Sequence, residues 1–155
     1  MRLAEILPDR NEISHAVIFY AEAGIDECKA DMERSNDINV RSTKQVIDDL
    51  DRMGVKPIFI STEYVFNGEK GGYTEEDQAL PSTVYGSQKL EIEEYLADRC
   101  PDYAVLRLAK VFGTDPEEET ILSGWLNQIK RGEEIRCARH QVFVPIHVDD
   151  AVAVA

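Results

Sequence analysis

Positive charge is scarce in this sequence. Its 155 residues carry 30 acidic and 17 basic side chains, for a formal net charge of −13 at neutral pH. A protein that binds the phosphate backbone of nucleic acid, or an anionic membrane surface, needs a basic face. We therefore expect neither nucleic acid nor a membrane to be the main partner of this chain.

Cysteines and long apolar runs are also scarce. Cys28, Cys100 and Cys137 lack the spacing of metal ligands, so we expect no metal site. The first residues, MRLAEILPDRNEIS, lack the apolar stretch of a signal peptide, and no apolar run is long enough to span a membrane. Scattered thiols without a secretion signal are typical of a reducing compartment, so the expected localisation is cytoplasmic. We expect Cys28 to be a half-buried helix residue.

Strand-like and helix-like patterns alternate along the chain. Short apolar runs that suit buried strands are separated by stretches with apolar residues at helical spacing. Such alternation predicts an α/β fold with a partial Rossmann-like parallel sheet and crossover helices. Trp125 and its apolar neighbours are expected to be core. The predicted strands cover residues 15–21, 55–61, 103–109 and 142–148, and the predicted helices cover 35–53 (ended by Gly54), 84 onward, 121–132 and a final helix capped by Asp149 or Asp150.

The carboxyl ends of the predicted strands define a candidate site. Parallel sheets of this kind bind ligands just beyond those ends. The ends fall at residues 20–23, 61–64 and 108–111. We expect these three segments to converge on one crevice.

A tyrosine and a lysine stand four residues apart in VYGSQKLEIEEYL. A helix places Tyr85 and Lys89 side by side, but the spacing alone is a weak signal, and the alternative is two ordinary residues on a solvated helix. A phenol has an ordinary pKa of about 10, which a neighbouring lysine cation lowers. With Thr62 holding a substrate oxygen, this group can serve carbonyl reduction, provided that a cofactor supplies the hydride.

The residues around this pair resemble a known family. The segment STEYVFNGEKGGYTEEDQALPSTVYGSQKLEIEEYL resembles the active-site segment of extended short-chain dehydrogenases and is most similar to the dTDP-4-dehydrorhamnose reductase branch. The likeness continues through VLRLAKVFG (105–113) and FVPIHVDDAVAVA (143–155). Upstream, INVRSTKQVID (38–48) is similar to a helix of the family. The resemblance covers nearly the whole chain.

The resemblance implies NAD(P)-dependent reduction of a nucleotide-linked 4-keto sugar. It makes Tyr85 the proton donor to the keto oxygen, while Lys89 lowers the pKa of Tyr85 and binds the nicotinamide ribose. Thr62 then orients the carbonyl. Glu63 and Lys110 join Thr62 as implied substrate contacts, although Lys110 stands where reductases often carry an aromatic residue.

The implied cofactor is NADPH or NADH. The resemblance places Ala21, Glu22 and Ser61 beside it, together with Tyr85 and Lys89. The family's glycine-rich turn, G-x-x-G-x-x-G, brings backbone N–H groups against the pyrophosphate and has no counterpart in this sequence. We therefore expect cofactor binding by this chain alone to be weakened or lost.

The resemblance also sets the expected domains and two classes of function. Residues 1–113 are expected to be the C-terminal part of a dinucleotide-binding Rossmann-like domain, and residues 114–155 an incomplete substrate-binding region, so that the chain is truncated at both ends. One class of function is the catalytic segment of a reductase. The other is a non-catalytic relative, similar to the regulatory β subunit of methionine adenosyltransferase. The protein partner considered for this chain is a second copy of itself, in a homo-oligomer, or a partner subunit.

Overall fold

A computed structural model describes residues 3–6, 13–115, 120–135, 137–139 and 142–154. The chain divides into two units, Met1–Arg107 and Leu108–Ala155. Helices alternate with parallel strands, which confirms the predicted α/β class. The functional assignment of residues 1–113 and 114–155 stays a prediction.

The first unit is built around a three-stranded sheet. Its elements are α1 (Leu3–Ile6), β1 (His15–Ile18), α2 (Ile25–Ala30), α3 (Met32–Asn36), a π-helical segment (Asp37–Ser42), α4 (Thr43–Met53), β2 (Lys56–Thr62), a 3₁₀ turn (Glu63–Val65), α5 (Val84–Arg99) and β3 (Ala104–Leu108). The strands stand in the order β1, β2, β3. β1 runs parallel to β2, with His15 opposite Lys56 and Ile18 opposite Phe59. β1 is shorter than expected, and the helix expected to hold Cys28 is α2, which is six residues long.

The helix expected over residues 35–53 begins earlier and is irregular. Asp31 caps its start by accepting a hydrogen bond from the Arg34 N–H at 3.0 Å. Its middle segment, Asp37–Ser42, is π-helical, and the Ser42 hydroxyl donates to the Ile38 carbonyl at 2.6 Å. Single wide turns of this kind are frequent at functional sites.

The ends of α4 and α5 follow local sequence signals. Gly54 ends α4 in the left-handed region, with φ of 68°, as predicted. The N–H groups of Gly54 and Val55 donate at 3.0 Å to carbonyls of the last helical turn. At the start of α5, the Thr83 hydroxyl accepts from the Gly86 N–H at 3.0 Å. This cap fixes where the helix begins and therefore which residues face the sheet.

Helices α4 and α5 pack against the sheet through one apolar core. Apolar residues at helical spacing on both helices meet Ile18 of β1 and Phe59 of β2. Cys28 lies outside this cluster and is fully buried rather than half-buried, because α2 packs against both α3 and α5. Its thiol donates to the Glu22 carbonyl at 3.2 Å. The buried cluster consists of Ile18, Val40, Ile47, Leu50, Val55, Phe59, Ile92, Leu96 and Cys100.

In its described residues, the second unit contains two short parallel strands and two helices. Its elements are β4 (Lys110–Phe112), α6 (Ile121–Lys130), β5 (Pro145–His147) and α7 (Val148–Val154). Lys110 stands opposite Pro145 in the strand pair. Thr120 and Ser123 form a reciprocal cap at the start of α6. The strand expected over residues 142–148 is thus reduced to three residues.

Two expectations for the second unit are wrong. Helix α7 begins at Val148, so Asp149 and Asp150 lie in its first turn instead of capping it. The ring nitrogen Nδ1 of His147 accepts from the Asp149 N–H at 3.2 Å. On α6, Leu126 is 56% exposed and Ile129 is 59% exposed. These two side chains line a cavity of about 480 Å³ instead of a closed core.

Membrane spans and metal clusters are both absent from the described ranges. No helix there is long and apolar enough to cross a membrane. The same ranges contain no group of three or more His, Cys, Asp or Glu side chains that could hold a metal ion. Cys28 and Cys100 are buried free thiols, and Cys137 is an exposed one.

Candidate active site

The tyrosine–lysine pair lies on the buried face of α5. Tyr85, Gln88 and Lys89 are 9%, 5% and 3% exposed. Residues three and four apart share one side of a helix, and this side faces β2. The alternative of two ordinary residues on a solvated helix is therefore wrong.

Lys89 is anchored to the end of β2. Its ammonium nitrogen donates to the Ile60 carbonyl at 2.9 Å. It also lies 4.5 Å from the centre of the Phe59 ring and 5.8 Å from that of Tyr85, where aromatic faces attract a cation. Burial lowers the pKa of Lys89 to about 8, and the Glu93 carboxylate opposes that shift. Lys89 is thus a buried cation that gives up its proton more readily than an ordinary lysine.

Tyr85 holds its proton more tightly than expected. Burial raises the pKa of Tyr85 to about 12. Electrostatic interactions with Cys28, Glu63 and Tyr64 make smaller contributions to the same rise. The expected lowering by Lys89 is not found, because burial dominates and the ammonium directs its hydrogen bond to a backbone carbonyl. At neutral pH this phenol is a proton donor rather than a base.

The end of β2 adjoins the buried face of α5. Thr62 is 6% exposed, and its hydroxyl oxygen accepts from the Tyr64 N–H at 3.3 Å. The Tyr64 ring meets the Tyr85 ring edge-on, with 6.4 Å between centroids. Glu63 lies in the same turn. A direct contact between the Thr62 and Tyr85 hydroxyls stays a prediction.

The Ser61 hydroxyl is engaged inside the protein. It donates to the carboxylate of Glu93, which is 8% exposed. Arg107 binds the same carboxylate with hydrogen bonds of 2.6 to 3.1 Å. A buried carboxylate needs such partners because desolvation of the charge is costly. Toward the predicted cofactor, the Ser61 side chain can therefore only accept a hydrogen bond.

Asn39 holds the loop after β1, where Ala21 and Glu22 lie. Its Oδ1 accepts from the Glu22 N–H at 2.8 Å, and its Nδ2 donates to the Glu22 carbonyl at 2.9 Å. The same Nδ2 donates to Gln88 Oε1 at 2.7 Å. Gln88 Nε2 then donates to the Ser35 hydroxyl at 2.9 Å. A chain of buried hydrogen bonds thus connects the predicted cofactor loop to α5.

Reasoning from the sequence missed Asn39, Gln88 and Glu93. A signal existed for Gln88 and Glu93, because they follow Tyr85 on the same helical face. Asn39 gave no comparable local signal. Its partners Glu22 and Gln88 lie 17 and 49 residues away along the chain.

Lys110 belongs to the second unit. It opens β4 and stands in register with Pro145. Its predicted contact with the substrate stays a prediction. So does the expected convergence of residues 108–111 with the strand ends of the first unit.

Known proteins match nearly the whole chain. A family model described as the RmlD substrate binding domain matches residues 3–155. The chain belongs to this family. Membership of the RmlD substrate-binding domain family confirms the resemblance to sugar-nucleotide reductases that the sequence showed.

The RmlD-family chain is similar to a methionine adenosyltransferase subunit and to solved structures, one of which is a dTDP-4-dehydrorhamnose reductase. Methionine adenosyltransferase 2 subunit beta of Danio rerio is 35% identical over 99 residues, which are 63% of this chain and 31% of that protein. The dTDP-4-dehydrorhamnose reductase of Clostridium acetobutylicum ATCC 824 matches with a TM-score of 0.83 and 27% identity, covering 93% of this chain and 51% of that one. MoeE5, solved with UDP-glucose and NAD, matches with a TM-score of 0.75 and 26% identity, covering 90% and 50%. The chain therefore spans about half the length of these two structures and a smaller share of the Danio rerio relative.

Proposed function

We propose that this chain carries the catalytic residues of an NAD(P)-dependent reductase acting on a nucleotide-linked 4-keto sugar. The observation that carries the proposal is the burial of Tyr85 and Lys89 on one face of α5, beside the end of β2. A buried ammonium costs stability, and pairs of titratable groups with displaced pKa values are typical of active sites. The match to a dTDP-4-dehydrorhamnose reductase supports the same reaction class.

Tyr85 donates the proton in this proposal. A pKa of about 12 keeps its phenol protonated at neutral pH. As the keto carbon is reduced, its oxygen gains negative charge, and a phenol within hydrogen-bond reach can transfer its proton to that oxygen. Thr62 orients the same oxygen. The Thr62 oxygen accepts from the Tyr64 N–H, so its hydroxyl hydrogen can be donated to the substrate oxygen.

Lys89 supports both the proton donor and the cofactor. Its positive charge, 5.8 Å from the Tyr85 ring centre, favours the phenolate that remains after proton transfer. An ammonium has three donors, and one is used by the Ile60 carbonyl. The others would reach a ribose hydroxyl. Glu63, and Lys110 in the second unit, are the proposed further contacts with the sugar nucleotide.

The residues present fit the ribose end of a nicotinamide cofactor. Lys89 would be the donor, Ser61 an acceptor, and Ala21 and Glu22 the adjoining loop. When bound, a reduced nicotinamide supplies the hydride that no side chain can supply. The pyrophosphate end calls for a glycine-rich turn, which these 155 residues do not contain. For NADPH or NADH to bind tightly, another polypeptide segment would therefore have to supply the glycine-rich turn.

A second candidate function is that of a non-catalytic subunit. The 35% identity to a methionine adenosyltransferase β subunit favours it, as does the missing glycine-rich turn. In this case the same fold serves as a surface for a partner protein. Binding to a methionine adenosyltransferase catalytic subunit, measured by surface plasmon resonance, tests this alternative.

The reductase proposal is tested in a chimera. The chain is joined to the part of the Clostridium acetobutylicum reductase that it does not cover, and NADPH oxidation is followed with dTDP-4-dehydrorhamnose. Tyr85→Phe keeps the ring and removes only the proton, so the rate should fall by roughly 10²- to 10⁴-fold with little loss of stability.

The matched control is Tyr95→Phe. Tyr95 lies on the same helix, and its hydroxyl donates to Asp48 at 2.7 Å, outside the site. This variant should keep the parent rate. A Tyr85→Phe chimera that turns over within a factor of about two of the parent would show that the proton comes from another group.

A further inference from the structure

Glu93 is a buried acid with no role in the mechanism above. It follows Lys89 by one turn on the same face of α5 and is 8% exposed. Ser61 donates to it from β2, and Arg107 binds both of its oxygens from β3 at 2.6 to 3.1 Å. One side chain therefore ties the catalytic helix to two strands.

Lys89 and Glu93, one helical turn apart on α5, each bind one of two consecutive residues of β2. Lys89 donates to the Ile60 carbonyl at 2.9 Å, and Glu93 accepts from Ser61, the next residue of β2. Two consecutive turns of α5 thus hold two consecutive residues of β2. Thr62 follows directly, so the same contacts set the position of the hydroxyl that is proposed to orient the substrate.

We propose that Glu93 is a positioning residue of this site: its bond to Ser61 holds the strand end, and its carboxylate supplies a negative charge one helical turn from Lys89, on the same buried face of α5. This inference rests on the proposed function, where Lys89 and Thr62 meet cofactor and substrate. A purely structural role would be served as well by an apolar side chain, because buried ion pairs often add no net stability over apolar packing. The charge itself is therefore the feature to test.

Glu93 is placed to act on Lys89 electrostatically. Burial lowers the pKa of Lys89, and Glu93 is the group that raises it. Arg107, bound to Glu93, carries the opposing positive charge. Besides Lys89 and Glu93 themselves, the titratable and charged groups that face this cluster are Tyr85 on α5, Arg107 on β3, Cys28 on α2, and Glu63, Tyr64 and Glu75 after β2.

The test follows the protonation of Lys89 in the 155-residue chain. The ¹³C chemical shift of its ε-carbon is recorded across pH and assigned by its absence in Lys89→Met. Glu93→Gln keeps the side-chain shape and an acceptor for Ser61 but removes the charge, leaving Arg107 as a nearby cation. The pKa of Lys89 should fall by about 1 pH unit relative to the parent.

If Glu93→Gln acted by loosening the structure, the pKa of Lys89 would change in the opposite direction. If Glu93→Gln only admitted water, the pKa of Lys89 would rise toward its ordinary value. Glu94→Gln makes the same chemical change at an exposed neighbour and should leave Lys89 unchanged. An unchanged or raised pKa in Glu93→Gln would overturn the inference. Should that variant not fold, Arg107→Gln is compared with the double variant Glu93→Gln/Arg107→Gln, because these two differ only in the charge of Glu93. The pKa of Lys89 should then be lower in the double variant, and an equal or higher pKa would overturn the inference.

The result is separable from the reductase assay, because the titration needs neither cofactor nor substrate. If the chimera is inactive but the pKa of Lys89 falls in Glu93→Gln, the reductase proposal is overturned and the electrostatic coupling between Glu93 and Lys89 stands. If the chimera is active but the pKa of Lys89 does not change in Glu93→Gln, only this inference is overturned. In an active chimera, the basic limb of the pH–rate profile should move to lower pH in Glu93→Gln.

Discussion

The carbonyl oxygen of Tyr64 occupies the space that a Cβ atom on Gly86 would need. The carbonyl carbon of Tyr64 lies 2.9 Å from that position, and the Thr83 hydroxyl lies 3.0 Å from it. The turn after β2 therefore packs directly on the first turn of α5. This close approach, rather than an unusual backbone angle, requires glycine here and brings Tyr85 against Tyr64.

Replacing Gly86 should separate the strand end from the helix. Gly86→Ala places a methyl group against backbone atoms that cannot move independently, so we expect a loss of about 1 to 3 kcal/mol in the free energy of unfolding. Urea denaturation measures this. Gly124→Ala on α6 is the control, because nothing lies within 4 Å of its added Cβ, and it should gain about 0.5 to 1 kcal/mol. Equal urea midpoints for Gly86→Ala and the parent would contradict the predicted packing.

Asn39 should matter more for stability than its polarity suggests. Asn39→Ala leaves the Glu22 N–H and Gln88 Oε1 without their partner, at a cost of about 1 to 3 kcal/mol in the free energy of unfolding. Hydrogen exchange of the Glu22 amide should also accelerate. Asn36→Ala, at the less buried C-terminal end of α3, is the comparison and should cost little. An equal loss of stability in both variants would contradict the role assigned to Asn39.

Removing the proposed cofactor-binding lysine should stabilise the fold. Burial holds the pKa of Lys89 at about 8, below the ordinary 10.5. The folded chain therefore binds this proton less tightly than the unfolded chain, so its contribution to stability is least favourable below pH 8 and improves as pH rises to 10.5. Lys89→Met should gain about 1 to 2 kcal/mol at pH 7.

That gain should shrink above pH 8 and vanish near pH 10.5, which urea denaturation at several pH values can follow. Lys29→Met, at an exposed position on α2, is the control and should show no such dependence. A difference between Lys89→Met and the parent that stays constant with pH would mean that Lys89 titrates normally.

The chain as it stands should bind NADPH and NADH weakly. Lys89 and the loop at Ala21 and Glu22 offer contacts to the ribose end alone, and these contacts must offset the entropy lost on binding. Calorimetric titration with each cofactor, with the oligomeric state checked in parallel, measures this. A dissociation constant in the low micromolar range for a monomer would overturn the prediction.

Much of the first unit could be predicted from local patterns. The positions of β2, α5 and β3 follow from apolar spacing, and Gly54 marks the end of α4. The π-helical segment at Asp37–Ser42 was not predictable in this way, because its apolar spacing does not differ visibly from that of an α-helix. Helix α2 was expected at Cys28 but without bounds, because six residues are too few to show a helical apolar pattern.

The grouping of Tyr85 and Lys89 with the end of β2 was predictable, but its electrostatics were not. Tyr85, Lys89 and the end of β2 do lie together. The pKa of Tyr85, however, is raised rather than lowered. Proximity to a cation can be inferred from a spacing of four residues, whereas the depth of burial cannot, since it depends on every segment that covers the helix.

The sequence by itself determined the order of strands and helices, the face that Tyr85 and Lys89 share, and the lack of a glycine-rich turn, because all three depend on residues close together in the chain. Tertiary structure decided the protonation of that pair and the roles of Asn39 and Glu93. The Ser61–Glu93 bond joins residues 32 apart, and the Asn39–Gln88 bond joins residues 49 apart. Burial and hydrogen bonding between such distant segments arise only when the chain folds, and they set the chemistry of the site.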